Sequence, residues 1–412
     1  MGKRVVITGM GTVNPLGKNV ADTWSRVLEK KSVIGKITRF DTTNLPCQIA
    51  SEIKDFDYKQ YCTEDQLKTV KRMDPFCHYA IAAMKEAWES SGVKIDDPYR
   101  IGVMVGTGIG GLSTQFENSV ALATKGPRRI SPFYIPLSIG NIASGYLSMI
   151  YGLKGPNLSV QTACASANHA FITSSLMIKA GMADVMFAGA TEATMTELAL
   201  GGFANMHALS TRNDSPETAS RPFDKDRDGF VMGEGSGILC LEDYEHAKKR
   251  GANIFCELLS TGLSADSYDL VAPDPEGNGA YASMKMAVEM GNIDVGKIDY
   301  INAHGTSTPV GDIAESKAIL KLLTKGEDNV CIGSTKSIHG HLLGAAAAVE
   351  GIISIMAIKN GKIPANINLF NLDPEIKLKS INTDVVEKDI KIVLSNSFGF
   401  GGHNSSVIFG KI

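Results

Sequence analysis

The sequence predicts an α/β fold, because short apolar runs that end at small-residue turns alternate with segments of helical periodicity. The apolar runs lie at residues 4–9, 101–106, 157–160, 184–189 and 300–303. Runs of β-branched residues without polar alternation are typical of strands that are covered on both faces. Between them, residues 74–90 and 312–323 place apolar side chains on one helical face. This order predicts the alternating helix and strand layers of an α/β protein.

The carboxyl-terminal segment predicts two strands joined by a glycine-rich turn. Strand patterns cover residues 393–398 and 405–409, and the Gly-Phe-Gly-Gly turn at 399–402 separates them. A charged helical segment near the middle of the chain is followed by the most suitable domain boundary. We therefore expect two halves, residues 1–252 and 253–412, and the repeated order of strand and turn hints at an internal duplication.

Composition and charge exclude several classes of protein. The 412 residues are 43% apolar and 21% charged, which rules out a disordered or fibrous chain. The 41 basic and 44 acidic residues give a net charge of −3, which argues against a dedicated nucleic-acid binder. The longest apolar stretch, residues 344–358, is interrupted by Glu350, so we expect no membrane insertion.

The cysteines predict a reducing environment. There are seven, an odd number, and no two of them form a Cys-x-x-Cys pair or a dense disulfide pattern. Such spacing is typical of intracellular proteins. The amino-terminal residues lack the apolar core of a signal peptide. We therefore expect a cytoplasmic protein, or one in an organelle lumen after import.

Cys164 is the candidate nucleophile. It follows an apolar strand and precedes a run of small residues, so we expect it at the first turn of a buried helix. Unpaired backbone N–H groups and the helix dipole at that position favour a thiolate. An isolated buried cysteine is more often a packing residue. The assignment therefore depends on residues elsewhere in the chain.

Two histidines lie in similar turns, each flanked by glycine and hydroxyl residues. His304 follows an apolar strand, and His341 precedes a helix of small residues. Both could donate hydrogen bonds to one developing oxyanion. Lys336, five residues before His341, could fix the orientation or charge state of that histidine. Glu350 interrupts an apolar helix and would be costly to bury unpaired, which makes it a candidate partner for Lys336.

Three features of the sequence resemble nucleotide-binding or metal-binding motifs but lack a required part. The glycine-rich segment 106–111 lacks the spacing of a dinucleotide loop, which favours a structural or pocket-lining turn. Residues 224–229 imitate an EF-hand, but Gly235 stands where a bidentate glutamate is needed, so a hydrogen-bonded turn is expected. Zinc could use one cysteine and two histidines, but no fourth ligand lies at a recognisable spacing, so we expect no metal.

The turn at 399–402 is the last element of the predicted site. An ordinary hairpin is the simpler interpretation. Glycines around Phe400 would let the backbone pass close to a ligand and let the aromatic ring move. A backbone N–H from this turn could join that of Cys164 in an oxyanion hole.

Together these elements resemble the β-ketoacyl-acyl-carrier-protein synthases of the thiolase-like superfamily. The Cys-His-His set, Thr-Lys-Ser before the second histidine, Arg-Pro-Phe-Asp at 221–224 and Leu-Leu-Gly-Ala at 342–345 support the resemblance. It covers essentially the whole chain and is nearest to the synthase II type of dissociated (type II) fatty acid synthesis. The family fold implies five αβαβα layers built from two similar halves, usually in a homodimer.

The resemblance also implies residue roles. Cys164 would accept the acyl chain, the two histidines would serve decarboxylation and condensation, and Phe400 would gate the site and complete the oxyanion hole. The residues implied to be catalytic are Cys164, His304, His341, Lys336, Glu350 and Phe400. The positions implied to bind the pantetheine arm or the acyl chain are Thr306, Thr308, Ile109, Phe203 and the partner subunit's Phe133.

The implied reaction is a decarboxylative condensation. An acyl chain held on Cys164 would react with malonyl-acyl-carrier protein to give an extended 3-oxoacyl-carrier protein and CO₂. No cofactor is expected beyond the phosphopantetheine that carries the substrates. The carrier protein is acidic in this family, and we expect it to dock on a basic patch, although these side chains could equally be an ordinary solvated surface. The patch residues are Lys68, Lys71, Arg72, Arg128 and Arg129.

Three departures from the family pattern affect carrier and substrate preference. Val271 replaces a common threonine near the pantetheine, His207 replaces a basic residue near the carrier surface, and His339 stands where threonine is common. Three alternatives stay open at this point: a ketosynthase of a type II polyketide or polyene pathway, a non-elongating ketosynthase-like partner subunit, and a degradative thiolase. The intact cysteine and histidines argue against the second, and the lysine before the second histidine argues against the third.

Overall fold

The structure is a computed structural model and describes residues 3–324 and 329–412. Its strands are β1 (Val5–Val13), β2 (Gly35–Lys36), β3 (Ile49–Ala50), β4 (Ile101–Gly106), β5 (Asn157–Leu158), β6 (Val185–Glu192), β7 (Gly235–Asp243), β8 (Cys256–Ala265), β9 (Tyr300–Asn302), β10 (Cys331–Gly333), β11 (Lys362–Ile363), β12 (Val386–Glu387), β13 (Ile392–Gly399) and β14 (His403–Gly410).

The α-helices are α1 (Val20–Leu28), α2 (Glu64–Val70), α3 (Pro75–Ser91), α4 (Leu112–Lys125), α5 (Tyr134–Ser138), α6 (Ile142–Tyr151), α7 (Ser166–Lys179), α8 (Glu197–Asn205), α9 (Tyr244–Lys249), α10 (Asn278–Met290), α11 (Pro309–Leu322), α12 (Lys336–His339) and α13 (Ala346–Asn360). Short 3₁₀ turns connect several of them. Two of these turns, Ala163–Ala165 and Leu343–Ala345, lead directly into α7 and α13.

The main sheet consists of two five-stranded sets with the same topology. In the first set, β4 runs parallel to β5 and β6, and β6, β7 and β1 follow in antiparallel order. In the second set, β9 runs parallel to β10 and β13, and β13, β14 and β8 follow in antiparallel order. The two sets are joined where Val6 and Ile7 of β1 pair with Glu257 and Cys256 of β8. The repeated topology is what an internal duplication produces.

Helices cover both sets of strands and form five layers. Helices α3 and α6 pack on one outer face, and α10 packs on the other, alongside α11. Helices α7 and α13 contact strands of both sets and form the central layer. The order is therefore helices, first strand set, central helices, second strand set, helices. The predicted boundary between residues 252 and 253 lies between α9 and β8, and it stays a prediction.

The central helix α13 explains the apolar composition of this region. Residues Leu343–Asn360 are long and apolar enough to cross a membrane, but 89% of that stretch is buried inside the protein. A helix that is apolar on all sides belongs in a core, and the small residues at its start allow close approach of the neighbouring backbone. The stretch is a core element, flanked by strands of both sets.

The helices and strands predicted from the sequence are present in the structure, but several begin or end at different residues. The helix expected at 74–90 is α3, which Asp74 caps by accepting a hydrogen bond from Phe76 N. The helix expected at 312–323 begins earlier, at Pro309, whose fixed φ suits the first helical turn. The strand expected at 157–160 is shorter, since β5 ends at Leu158. The carboxyl-terminal strand pair and its glycine turn are β13, β14 and the residues between them.

Candidate active site

The site is assembled from loops that follow the carboxyl ends of parallel strands. Strands β4, β5 and β6 supply one side, and β9, β10 and β13 supply the other. Because the ends of parallel strands lie at one edge of a sheet, their loops converge there. The residues predicted to be functional follow β5, β9, β10 and β13, so the two strand sets contribute jointly to one site.

Cys164 lies in a strained turn just before α7. Ala163 has a φ of +50°, an uncommon value for a residue with a side chain, and this bends the backbone so that Cys164 faces inward. Ser166 Oγ accepts from Thr162 N at 2.9 Å and donates to Ala163 O at 2.7 Å, which holds the turn. The helix begins at Ser166, so the cysteine lies immediately before the first helical turn rather than within it.

Gly399, at the end of β13, lies against this turn. A Cβ atom at position 399 would lie 2.6 Å from Thr162 O and 3.1 Å from Cys164 N, so a larger residue would force the two segments apart. Ser397 Oγ also donates to Cys164 O at 2.8 Å. The backbone of the following residue, Phe400, is therefore carried close to the cysteine turn.

The two histidines meet the cysteine. His341 Nε2 lies 3.0 Å from Cys164 Sγ, within hydrogen-bonding distance. The ring centroids of His304 and His341 are 5.4 Å apart, with the rings nearly perpendicular. One ligand-type atom from each of the three residues lies within 4.8 Å of the others. Side chains that are far apart in the sequence thus share one small volume.

Backbone hydrogen bonds hold both histidines in place. Glu315 of α11, which is buried, accepts from His304 N at 2.8 Å and from Gly305 N at 2.7 Å. His341 N donates to Val231 O at 2.7 Å. Burial raises the pKa of Glu315 to about 7. Glu315 was not among the residues predicted from the sequence to be functional. An acidic residue in the apolar part of a predicted helix was the feature of the sequence that could have identified it.

Lys336 and Glu350 form a buried ion pair beside the histidines. The Lys336 ammonium contacts Glu350 Oε1, and both side chains have 0% exposure. Among the described residues, Glu350 Oε2 has no hydrogen-bond partner. Burial raises the pKa of Glu350, and the charge on Lys336 acts in the opposite direction. The lysine charge is thus fixed close to the cysteine and both imidazoles.

The resting charge states differ from the expectation of a thiolate. Burial raises the pKa of the Cys164 thiol to about 12, although the charge on Lys336 and the backbone N–H of the cysteine lower it. Burial, with the Lys336 charge, holds the pKa of His304 and of His341 well below the usual value. The site therefore rests as a neutral thiol beside neutral imidazoles. The position of Cys164 before the N-terminus of α7 does not offset the effect of burial, which disfavours the charged form of the thiol.

A largely apolar cavity of about 600 Å³ opens onto these groups. Ile109 and Phe203 line it, and the Phe203 ring lies 6.4 Å from that of Phe400. Thr306 Oγ1 and Thr308 Oγ1, which lie 3.0 Å apart, supply polar groups to the wall. The cavity therefore combines apolar side chains, two hydroxyl groups and the cysteine. Two of the family departures, His207 and Val271, also line it.

The remaining predicted residues lie elsewhere. Phe133 does not line this cavity, and its side chain is 44% exposed on the surface. All five basic residues of the expected patch are exposed. The guanidinium of Arg72 lies 5.3 Å from the centre of the Phe133 ring, which brings α2 near the segment containing Arg128 and Arg129.

The third departure, His339, is away from the cavity. It is buried in α12, and its Nε2 lies 2.9 Å from Thr335 Oγ1. Burial lowers the pKa of His339 to about 3, so it is neutral. The Thr335 hydroxyl satisfies one ring nitrogen, which explains how a histidine is accommodated in this position.

Comparison with family models gives the class of protein. The models for the N-terminal and C-terminal domains of β-ketoacyl synthases match residues 2–247 and 255–370. The chain belongs to the β-ketoacyl synthase family, as the sequence motifs predict.

Individual relatives narrow the class further. The 3-oxoacyl-[acyl-carrier-protein] synthase 2 of Coxiella burnetii (strain RSA 493 / Nine Mile phase I) is 46% identical over 412 residues, which cover 100% of this chain and 99% of that protein. The protein of the same name from Synechocystis sp. (strain ATCC 27184 / PCC 6803 / Kazusa) is 44% identical over 411 residues, covering 99% and 98%.

Solved structures agree on the fold. A β-ketoacyl synthase from Burkholderia phymatum STM815 superposes with a TM-score of 0.92 at 31% identity, with 100% of both chains covered. A ketosynthase solved with its type II polyketide acyl-carrier protein gives a TM-score of 0.92 at 29% identity, also with full coverage. The five-layered arrangement is the thiolase-like ketosynthase fold, and this prediction is confirmed.

Proposed function

We propose that this protein is an acyltransferase that elongates fatty acids in a dissociated synthesis system. It condenses an acyl chain, held on Cys164, with malonyl-acyl-carrier protein to give 3-oxoacyl-acyl-carrier protein and CO₂. The observation that carries the proposal is the 3.0 Å contact between Cys164 Sγ and His341 Nε2 beside His304, at one end of an apolar cavity. A nucleophile, two potential oxyanion donors and a chain-sized pocket meet there.

A type II polyketide ketosynthase is the second candidate. The polyketide ketosynthase described above has the same fold at 29% identity, whereas a relative named 3-oxoacyl-[acyl-carrier-protein] synthase 2 is 46% identical over the whole chain. Higher identity over the same length favours elongation of fatty acids. A non-elongating partner subunit is disfavoured because one ligand-type atom from the cysteine and from each histidine lies within 4.8 Å of the others.

In the loading step, Cys164 takes the acyl chain from its carrier. As Sγ attacks the thioester carbonyl, the thiol proton passes to His341 Nε2, since the neutral imidazole is the base within reach. The backbone N–H groups of Cys164 and Phe400 stabilise the oxyanion. The carbon–sulfur bond to pantetheine then breaks, and the proton moves from His341 to the departing thiolate.

In the condensation step, malonyl-carrier protein occupies the mouth of the cavity. Once Cys164 is acylated, its sulfur has no proton to share, and the ring proton of His341 moves from Nδ1 to Nε2 by exchange with solvent. His341 Nε2–H and His304 then donate to the malonyl thioester oxygen, and loss of CO₂ leaves an enolate that these two donors stabilise. The enolate carbon attacks the acyl-cysteine, a carbon–carbon bond forms as the carbon–sulfur bond to Cys164 breaks, and the departing thiolate takes up one proton from solvent.

The other predicted site residues have supporting roles. Burial and then the charge of Lys336, which is held by Glu350, lower the pKa of both imidazoles and keep them neutral, and the lysine also favours the negative charge that develops on sulfur and oxygen. Thr306 and Thr308 bind the pantetheine arm near the mouth. Phe400, beside Phe203, admits the acyl chain by moving its ring. This chemistry uses no metal and no cofactor other than the carrier-bound phosphopantetheine.

We further propose a homodimer in which Phe133 completes the acyl pocket of the partner subunit. Among the strands that the structure describes, β5 is at the edge of the sheet and pairs with β4 alone, and the surface around it is rich in exposed apolar side chains. Such a patch next to an open strand edge is typical of an interface. The exposed apolar residues are Phe133, Ile135, Ile139, Met149 and Leu158.

The acidic acyl-carrier protein docks on the basic patch in this proposal. Lys68, Lys71, Arg72, Arg128 and Arg129 are all exposed, and complementary charge speeds association. We place the reaction in the cytoplasm, or in an organelle lumen after import, where seven free cysteines persist. Neither nucleic acid nor a membrane-inserted segment takes part.

The test is incubation with an acyl-carrier protein and then malonyl-carrier protein, followed by intact mass and product analysis. We expect an acyl adduct on Cys164 that Cys164→Ala abolishes, and a 3-oxoacyl product in the second step. Cys62→Ala serves as the matched control, because this thiol is free and partly exposed. An adduct without condensation product would contradict elongation, and absence of an adduct would contradict the whole proposal.

A further inference from the structure

Glu192 is a buried carboxylate next to the active site that the proposed chemistry does not use. It ends β6 and has 0% exposure. Its Oε1 accepts from Thr107 Oγ1 at 3.0 Å and from Ile109 N at 3.2 Å. Its Oε2 accepts from Gly108 N at 2.7 Å and from Gly344 N at 2.9 Å. Four donors thus converge on one carboxylate.

These donors belong to two separate loops. Thr107, Gly108 and Ile109 follow β4, whereas Gly344 follows the loop that carries His341. The loops touch, since a Cβ at position 344 would lie 2.2 Å from Gly108 N and 2.7 Å from Glu192 Oε2. Glycine is required in both loops for the carboxylate to reach the backbone.

Both loops contribute to the cavity wall. Gly108 and Ile109 line it from one loop, and Leu343, which precedes Gly344, lines it from the other. Leu343 has a φ of +50°, a strained value that the surrounding contacts must maintain. The hydrogen bond from Gly344 N to Glu192 is one such contact. The same carboxylate therefore fixes both walls relative to Cys164.

We propose that Glu192 is a positioning residue that determines which acyl chain lengths the cavity accepts, by tying the Ile109 loop to the Leu343 turn. The inference rests on the proposed condensing function. In a well-packed apolar pocket, one methylene more or less changes the preference for a substrate by about 10–200-fold, so discrimination depends on walls that do not move. A carboxylate with four donors supplies that rigidity without touching the substrate.

The test is the variant Glu192→Gln. The amide nitrogen can still donate to the Thr107 hydroxyl but cannot accept from Ile109 N, so the volume is kept while an anchor is lost. We expect the ratio of kcat/KM for the best and worst of octanoyl-, dodecanoyl- and palmitoyl-carrier protein to fall by roughly fivefold or more. The loss should arise mainly in KM.

The matched control is Glu242→Gln. Glu242 is equally buried, and it is hydrogen-bonded to Thr8, His246 and Arg250. Glu192 pairs with Gly235 at the start of β7, whereas Glu242 lies near the other end of that strand. We expect this variant to keep the wild-type ratio even if it is less stable. Thr107→Val is a second test that leaves the carboxylate in place, and we expect a smaller change in the same direction.

The outcomes separate the two proposals. Equal loss for all three chains in Glu192→Gln, with Thr107→Val unchanged in its ratio, overturns the role of Glu192. If Glu192→Gln does not fold, Thr107→Val decides alone: a wild-type ratio overturns the proposal. If the wild-type protein condenses none of the three chains, the proposed function itself is wrong.

Discussion

The ammonium group of Lys336 is paired with the carboxylate of Glu350 at a place where neither side chain has any solvent exposure. Removing one member of a buried pair leaves an uncompensated charge, which costs about 3–5 kcal/mol. We therefore expect Lys336→Met to lower the free energy of unfolding by about that amount, measured by urea denaturation. The double variant Lys336→Met/Glu350→Gln should lose clearly less than the sum of the two single variants. Strict additivity would contradict a coupled pair.

The histidines should divide the two half-reactions. His304→Ala should reduce malonyl decarboxylation by about 10²–10³-fold, the usual effect of deleting one oxyanion donor, while leaving acyl loading less affected. His341→Ala should reduce both steps, because its Nε2 also contacts Cys164 Sγ. Each step is measured separately, by CO₂ release from malonyl-carrier protein and by the intact mass of the acyl-enzyme. Equal losses of both steps in His304→Ala would remove this division.

Alkylation of Cys164 should report a protonated thiol. Because burial raises the pKa of Cys164 to about 12, the thiolate fraction grows about tenfold per pH unit at neutral and mildly alkaline pH. The rate of iodoacetamide labelling at this residue, followed by peptide mass, should therefore rise up to about pH 9 without levelling. Lys336→Met should label more slowly, since the lysine charge lowers that pKa. A plateau near neutral pH would instead reveal a thiolate–imidazolium pair.

His339 should contribute to loss of stability in acid. Its pKa is lowered to about 3 in the folded protein, from 6.5, so the unfolded chain takes up a proton first as the pH falls through 6.5. Stability from this group is complete above that value and declines below it. Between about pH 7 and about pH 5.5, His339→Gln should lose about 1 kcal/mol less unfolding free energy than the wild type.

The control for His339 is Thr335→Val, which removes the same hydrogen bond but keeps the titrating ring. It should lower stability at both pH values and preserve the wild-type difference between them. Urea denaturation at the two pH values measures both variants. An unchanged pH dependence in His339→Gln would show that the buried ring is not a source of acid sensitivity.

The basic patch should act through salt-sensitive association. Lys71→Glu/Arg72→Glu should raise KM for acyl-carrier protein at low ionic strength, with an effect that shrinks as salt is added. Lys285→Glu, on the outer helix α10 with a half-exposed side chain, is the charge-matched control and should behave like wild type. Steady-state kinetics across a salt series distinguishes them. An unchanged KM at low salt would reject the docking surface.

The residues that carry out the chemistry could be predicted from the sequence. Cys164, His304 and His341 each stand in a small-residue turn next to an apolar run, so their contexts could be recognised individually. The sequence was not sufficient for the carboxylates that hold them. Glu192 accepts hydrogen bonds from backbone groups 84 and 152 positions away, and backbone N–H groups leave no signature in a sequence.

The charge state of Cys164 could not be predicted from the sequence either. Position before a helix predicts a thiolate, but the extent of desolvation depends on packing that only the folded chain reveals. Element ends shifted for a similar local reason: β5 stops at Leu158 because its pairing with β4 covers only two residue pairs. The α/β class, several of the strands and a few of the helices, in contrast, could be predicted from hydrophobic periodicity.

The origin of Cys164 and the imidazoles in different strand sets has a consequence for biosynthesis. A nascent chain that has left the ribosome only as far as β7 contains the sulfur but none of the groups that activate it. The contact with His341 can form only after the β9, β10 and β13 loops have emerged and closed over the turn. The site is thus completed only late in synthesis, and a translation product that ends at β7 contains Cys164 without either histidine.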